Sequence, residues 1–260
     1  MSEQKVVPEK PQEKNMISKA SEQQILDSIL EHMPSTDTVD IDLPSKNRFY
    51  VLQDPAKKIS LRPMTFEDER AMMSNKNAGI DTLNLLLSRC ASNIDVGQLL
   101  QMDKLFLIMK LREISYGEDY NVSIDCTACK KENKITFQLN KLPVRYLEDH
   151  VTNPVEVTLP ILKKTIKITL PRVTDEKYFG NPDIAIQNMW RFVEEIDGHT
   201  EKAIISKVIP KLPLQDAHVV MEALAASDYG LDTKVKFRCH YCTHTEVMEL
   251  PITADFFTGK

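Results

Sequence analysis

The spacing of apolar positions changes period along the chain, and the changes predict its elements. Alternation of apolar and polar residues, the signature of a half-buried strand, covers Val39–Leu43, Arg48–Leu52 and Lys58–Arg62. The period then lengthens to that of a helix, with segments at about 66–74, 80–90 and 103–115. Thr65, with Glu67, Asp68 and Glu69 behind it, marks a helix start whose acids complement the dipole; they read as capping residues, not as a catalytic cluster. In the 103–115 helix Leu105, Ile108, Leu111 and Ile114 share one face, with Asp103 as the predicted N-cap. That helix stops at Tyr116-Gly117, where glycine supplies a left-handed C-terminal cap. Val122, Ile124 and Cys126 then alternate with polar residues, Lys130–Lys134 form a polar turn, and Ile135, Phe137 and Leu139 alternate again, which is a hairpin pattern.

A similar plan follows. Alternating strands at Val155–Leu159 and Thr165–Leu170 flank a Pro160–Lys164 turn. Helices are predicted near 183–196, 200–208 and 215–227, then Tyr229-Gly230, then a hairpin with Val235 and Phe237 before its turn and Val247, Met248 and Leu250 after it. Residues 103–129 laid on 216–242 match at Asp103/Asp216, Leu111/Leu224, Tyr116/Tyr229, Gly117/Gly230, Asp119/Asp232 and Val122/Val235, besides two cysteine pairs. Chance gives roughly one or two matches in such a window. The chain therefore reads as a tandem duplication of α+β class. Each half is a small antiparallel sheet plus helices ending in a knuckle hairpin: residues 38–145 and 151–257. The strand portions match poorly, aligning Pro63-Met64-Thr65 with Pro171-Arg172-Val173-Thr174 only after a register shift. Ahead of the repeat, residues 1–20 are a tail rich in Glu, Lys, Gln and Pro, expected to be disordered. Residues 21–34 form an amphipathic helix capped by Ser21 and stopped by Pro34; its Ile25, Leu26, Ile29 and Leu30 are expected to pack on the protein's own body in preference to a partner.

The cysteine pairs carry the chemistry. Cys126-Thr127-Ala128-Cys129 and Cys239-His240-Tyr241-Cys242 stand 113 positions apart. A two-residue spacer lets both thiolates of a pair reach one metal from a tight turn, and two pairs supply a closed tetrahedral zinc site. A closed site has no open position for activating water and contributes folding energy instead. The expected cofactor is one structural zinc joining the two halves. A redox motif would need a helix after the CxxC, and neither pair is followed by a helical pattern. His240 and His244 compete as ligands on type alone, but their turn positions favour exposure.

Composition narrows the function. With 260 residues, 42% hydrophobic, the chain is long enough for a sizeable core. Five cysteines without a signal sequence point to a reducing cytoplasm; Cys90, in an apolar run, reads as a buried small hydrophobe. No stretch is long and apolar enough for a membrane helix. A formal charge of −5 disfavours nucleic acid as the main partner. Seven glycines, no phosphate-binding loop, no HExxH and no nucleophile elbow leave no site for turnover or for a small-molecule substrate.

The strings Asp103-Lys104-Leu105-Phe106-Leu107 and Leu111-Arg112-Glu113-Ile114-Ser115-Tyr116-Gly117, the CxxC after them and the closing Asp255-Phe256-Phe257 resemble the baseplate hub and hub-assembly proteins of contractile-tailed, T-even-type bacteriophages. The similarity spans roughly residues 40–257. It implies a non-enzymatic structural or chaperone-like protein of the tail baseplate hub, made late in infection. Its partners would be other hub or tail proteins, in the host cytoplasm during assembly or in the virion tail. The rival expectation is a zinc-ribbon protein binding nucleic acid through Lys130, Lys131, Lys134, Lys234, Lys236 and Arg238. Phe256 and Phe257 are the expected partner-binding residues, against the alternative that they pack on their own hairpin.

Overall fold

The computed structural model describes residues 19–30, 38–74, 80–178, 182–225, 229–252 and 254–257. The chain divides into two units, Met1–Asp37 and Thr38–Lys260. The first contains helix α1 (Lys19–Leu30), on which Ile25, Leu26 and Ile29 are exposed. It starts ahead of Ser21, which therefore lies inside the helix and does not cap it. Of the expected tail over residues 1–20, Lys19 and Ala20 belong to α1; its remainder and the stop at Pro34 lie outside the described residues.

In the second unit the elements run β1 (Val39–Ile41), β2 (Ile59–Leu61), α2 (Phe66–Ser74), α3 (Ile80–Cys90), β3 (Ala91–Ser92), α4 (Gln101–Tyr116), β4 (Asp119–Asp125), β5 (Glu132–Gln138) and β6 (Val144–Arg145). They continue with β7 (Val155–Thr158), β8 (Thr165–Ile168), α5 (Pro182–Asn188), β9 (Val193–Ile196), α6 (Lys202–Val208), α7 (Leu214–Ala225), β10 (Gly230–Leu231), β11 (Lys234–Arg238) and β12 (Thr245–Glu249). The class is α+β, with small antiparallel sheets: β1-β2-β3, β7-β8-β9, β4-β5, β11-β12 and β6-β10.

One order of elements occurs twice. Two strands precede helices, and a third strand returns antiparallel to the second. A 3-10 turn comes next, Val96–Gln98 directly or Ile209–Lys211 after the additional helix α6, closed by Leu99 or Leu212 with the same backbone angles, φ −61° and ψ 140°. A longer helix then leads to Tyr-Gly and a hairpin. Gly117 and Gly230 both take positive φ, 89° and 106°, which costs a side-chain-bearing residue strain. At Gly230 a Cβ would also stand 2.9 Å from Met102.

Two buried carboxylates fix how each long helix meets its sheet. Asp103 is fully buried and accepts from the backbone N–H of Ser45 and from the Tyr50 hydroxyl. Tyr50 Oη in turn accepts from Leu100 N–H at the helix start, 2.9 Å away. Leu100 is thus the cap residue, and Asp103 reaches outward to the turn that follows β1 instead of capping its own helix. Burial pushes the Asp103 carboxyl above its ordinary value, against the lowering effect of these donors. Asp216, likewise fully buried, accepts from the N–H groups of Ile161 and Leu162 at 2.7 and 3.1 Å.

The largest core gathers Ile41, Ile59 and Leu61 of the first sheet with Leu86 and Leu87 of α3 and Phe106, Leu107 and Leu111 of α4. The burial of helix α4 is not confined to the predicted stripe: Leu105 and Ile114 are only half-buried, while Phe106, Leu107 and Met109 are buried with Ile108 and Leu111, because structure covers the helix on several sides. A second core packs Ile166, Ile168, Val193 and Ile196 of the β7-β8-β9 sheet against Ile205 and Val220. Leu100, Leu147, Leu170 and Tyr229 fill the junction between the halves.

The halves also exchange tails. After the first hairpin, β6 pairs with β10 of the second half, Val144 opposite Leu231. After the second, Pro251 O accepts from Tyr120 of the first half at 2.8 Å.

Two predicted elements differ from the observed ones. Arg48–Leu52 is not a strand: Lys46 and Asn47 both take positive φ, and the Arg48 guanidinium is held by the carbonyls of Glu148, Asp149 and Val151. The 183–196 segment is helical only to Asn188, passes through a 3-10 turn at Met189–Phe192, and ends as strand β9. Val193 and Ile196, three apart, fit a helix on spacing. An irregularity in the ladder at Lys167/Ile168 lets both face the core from a strand.

Around α2 the predicted capping is present and does more. Asp68 Oδ2 accepts from Thr65 N–H at 3.0 Å, and the same buried carboxylate holds Arg62 and Arg89 at 2.6 and 2.7 Å. Burial alone would raise its pKa, but the bonds from Arg62, Thr65 and Arg89 hold it far below the usual carboxylate range. Its stabilising effect is therefore present above the unfolded value, about 4, and is lost as pH falls through the depressed folded value. Replacing Asp68 by Asn should cost about 2–4 kcal/mol in urea unfolding at pH 7, somewhat less than for a fully buried pair, since the arginine side chains are 31% and 36% exposed. The gap between wild type and variant should narrow as pH drops below about 4.

Candidate metal centre

Each hairpin is built to end its ladder immediately before a cysteine. In the first, β4 and β5 pair from Asp119↔Gln138 to Asp125↔Glu132; in the second, β11 and β12 pair from Lys234↔Glu249 to Arg238↔Thr245. The turns that follow have matching geometry. Cys126 N–H donates to Lys131 O and Lys130 N–H to Cys126 O, at 3.0 and 2.9 Å. Cys239 N–H donates to His244 O and Thr243 N–H to Cys239 O, at 2.8 and 3.1 Å. The residue after each pair's second cysteine takes the left-handed conformation, Lys130 at φ 59° and Thr243 at φ 60°.

The turns face each other and bring all four sulfurs together. Cys126 Sγ lies 3.6 Å from Cys242 Sγ, and Cys129 Sγ lies 3.7 Å from Cys239 Sγ. The four sulfurs all lie within 4.8 Å of one another. A tetrahedron with metal–sulfur bonds of about 2.3 Å has sulfur–sulfur edges of about 3.8 Å, so the donor set fits one four-coordinate metal ion. The nearest contacts run between hairpins, so neither half offers the set alone. None of the cysteines is in a disulfide. His240 and His244 are not part of the cluster.

The cluster is buried on one side and open on the other, and its thiols do not ionise alike: against the lowering backbone bond at His244, burial and the neighbouring thiols of Cys129, Cys126 and Cys239 push Cys242 up to about 12. Ile124, Cys126, Phe237 and Cys239 form a small buried cluster, with Val122, Ile135, Phe137 and Met248 packed on it. Cys126 and Cys239 are buried; Cys242 is exposed. Burial opposes ionisation of Cys239, but backbone N–H groups of Cys242 and Tyr241 aimed at its sulfur bring its pKa down to about 6.

Asn133 is the functional residue that the sequence did not disclose. It is almost fully buried in β5; its Oδ1 accepts from His240 N–H of the other hairpin and its Nδ2 donates to Lys131 O, both at 2.9 Å. Its side chain thus locks one knuckle turn to the other. Its only sequence signal is a polar residue at a strand position next to a CxxC turn. Lys131 adds a second link, its ammonium 4.8 Å from the Tyr241 ring centroid.

Phe256 and Phe257 are not placed for a partner. Both are fully buried, stacked edge to face, with Phe256 against Tyr120 at 4.9 Å between centroids. Arg112 Nε donates to Phe256 O at 2.7 Å from within α4. The expectation of an exposed docking pair is corrected: the C-terminal turn seals the first half's core because α4 and β4 leave an apolar recess there. Below the hairpins lies an open cleft of about 600 Å³ whose charged lining is Asp119, Lys141, Lys234 and Lys236.

A family model described as T4 bacteriophage base plate protein matches residues 33–258. No curated protein and no solved structure matches the chain.

Replacing Asn133 by Ala removes both of its side-chain hydrogen bonds and leaves His240 N–H without its acceptor, while the Lys131–Tyr241 contact stays. The expected loss is about 1–3 kcal/mol in thermal unfolding. The exposed Thr136–Asn121 hydrogen bond on the same hairpin is the control, with Thr136→Ala expected to cost about 0.5 kcal/mol or less.

Proposed function

This chain belongs to the T4 bacteriophage base plate protein family, and we propose that it is a non-enzymatic structural or assembly protein of the central hub. It works by holding other tail proteins through surface contacts. The match over residues 33–258 carries the base plate reading. The narrower hub assignment rests on the resemblance of the 103–117 strings and the CxxC order. The virion tail is where such a protein acts, after assembly in the host cytoplasm.

Two structural parts of this reading have support in the geometry. The first is that the chain is an internal duplication, residues 38–145 and 151–257. The repeated element order, the matched knuckle turns and the paired carboxylates Asp103 and Asp216 support it. The second is that Cys126, Cys129, Cys239 and Cys242 hold one structural zinc between the halves. Four thiolates in a reducing compartment suit zinc, and a four-sulfur site is closed to substrate. When bound, the ion supplies folding energy and a fixed angle between the hairpins. A rigid body with partner surfaces, not a reaction centre, is what such a site builds.

Expression with other tail proteins tests the base plate reading: the chain should co-sediment with hub or base plate intermediates. Sedimentation apart from them, together with a salt-dependent shift on DNA, would favour the nucleic-acid alternative. For the metal, elemental analysis should give about one zinc per chain. Cys126→Ser and Cys239→Ser should each lose it and unfold or aggregate, since structural zinc in small domains contributes roughly 10 kcal/mol or more. A variant that keeps both its metal and its melting temperature would refute the site.

A further inference from the structure

We propose that the Pro160–Lys164 turn is a docking site for a short apolar–acidic segment of a neighbouring base plate protein, bound as residues 147–151 are bound by the matching turn of the first half. The inference rests on the duplication proposed above.

Hydrogen bonding establishes which turns correspond. Ser45 N–H donates to Asp103 and Ile161 N–H donates to Asp216, and each carboxylate is the third residue of its long helix. Each turn also begins with a fully buried leucine followed by proline, Leu43-Pro44 and Leu159-Pro160. Ser45 and Ile161 therefore occupy the same place, yet their burial is inverted. The serine is fully buried; the isoleucine is 51% exposed. Leu162 beside it and Leu214, two residues before Asp216, are 42% and 77% exposed. Polar inside and apolar outside is the reverse of what solvent favours, unless something covers the second turn.

The first half shows what the cover is. Leu147 N–H donates to Pro44 O at 2.8 Å, and its side chain is buried at the junction of the halves. Asp149 pairs with Lys46 at 2.6 Å. The Arg48 guanidinium reaches three carbonyls of the same segment, those of Glu148, Asp149 and Val151. The cover is thus a short strip that turns at Asp149–His150, closed by Val151 N–H donating to Glu148 O at 3.2 Å, and it offers one backbone N–H, one apolar side chain, a carboxylate and three carbonyls. Connectivity supplies it to one half only: the chain leaving the first hairpin passes over the Ser45 turn, whereas the chain leaving the second turns under α4 at Phe256.

Charge indicates the same kind of occupant. Lys163, Lys164 and Lys211 are exposed on the turn and just before α7; Lys164 is paired with Asp197 at 2.6 Å. A segment with a large apolar residue followed by acids, the chemistry of Leu147-Glu148-Asp149, places the apolar group on Ile161 and Leu214 and the acids against the lysines.

The probe is a synthetic peptide of residues 144–151, titrated into the full chain with labelled Ile and Leu methyl groups. Saturable shifts of Ile161, Leu162 and Leu214 are expected. A peptide with Leu147→Ser, or with both acids replaced by serine, should bind at least ten-fold more weakly. No shift at these methyls, or shifts that follow protein concentration without peptide and so report a second copy, would overturn the proposal. In assembly, the double variant Ile161→Ser/Leu214→Gln should fold and keep its metal but enter base plates at least ten-fold less well. Normal incorporation of that variant would overturn the docking site and leave the base plate reading standing. Failure of the wild-type chain to incorporate would instead count against the base plate reading, with the peptide titration still deciding the docking site.

Discussion

Neither hairpin can complete the sulfur cluster, and the way the two hairpins meet depends on that division. Each knuckle turn presents two thiolates, while the shortest sulfur contacts, 3.6 and 3.7 Å, cross from one hairpin to the other. Four thiols this close are a poor arrangement without a cation, because ionising one disfavours ionising its neighbours. A bound metal would reverse that, turning a local repulsion into a constraint on how the two hairpins meet. Asn133, the Lys131–Tyr241 contact and the exchanged tails, β6 onto β10 and Pro251 onto Tyr120, reinforce the same junction. All are weak beside a four-thiolate site.

Within each half a buried carboxylate plays the corresponding part. Asp103 and Asp216 tie the turn after the first strand to the start of the long helix. The long helix leads, through a positive-φ glycine, to the hairpin that carries the cysteines. The position of each sulfur pair is therefore set in three steps: sheet to carboxylate, carboxylate to helix, helix to knuckle. Repeating this chain of constraints twice is what lets two CxxC pairs far apart in sequence arrive at one point.

The most legible parts of the sequence were those governed by short-range rules. The hairpins, the Tyr-Gly stops and the CxxC turns were readable because alternation, left-handed glycine and ligand spacing are local. Helix α4 was found from its spacing, but its burial on several sides was hidden, since that depends on what packs around it. Asp103 was misread as a cap because the cap rule knows nothing of Ser45, 58 positions away. Spacing alone predicts helix at β9, because its ladder irregularity gives the core-facing Val193 and Ile196 a three-residue interval. Phe256 and Phe257 looked like surface anchors because sequence cannot show the recess beside Tyr120 that takes them. Asn133 was invisible for the same reason: its value comes from a partner turn 107 positions away.

X-ray absorption at the metal edge of the full-length protein tests the shared centre most directly. Four sulfur scatterers at about 2.3 Å with no nitrogen or oxygen neighbour are expected from one ion held by Cys126, Cys129, Cys239 and Cys242. Two sulfurs completed by nitrogen or oxygen would mean that each hairpin binds alone, and would contradict a junction built on one metal.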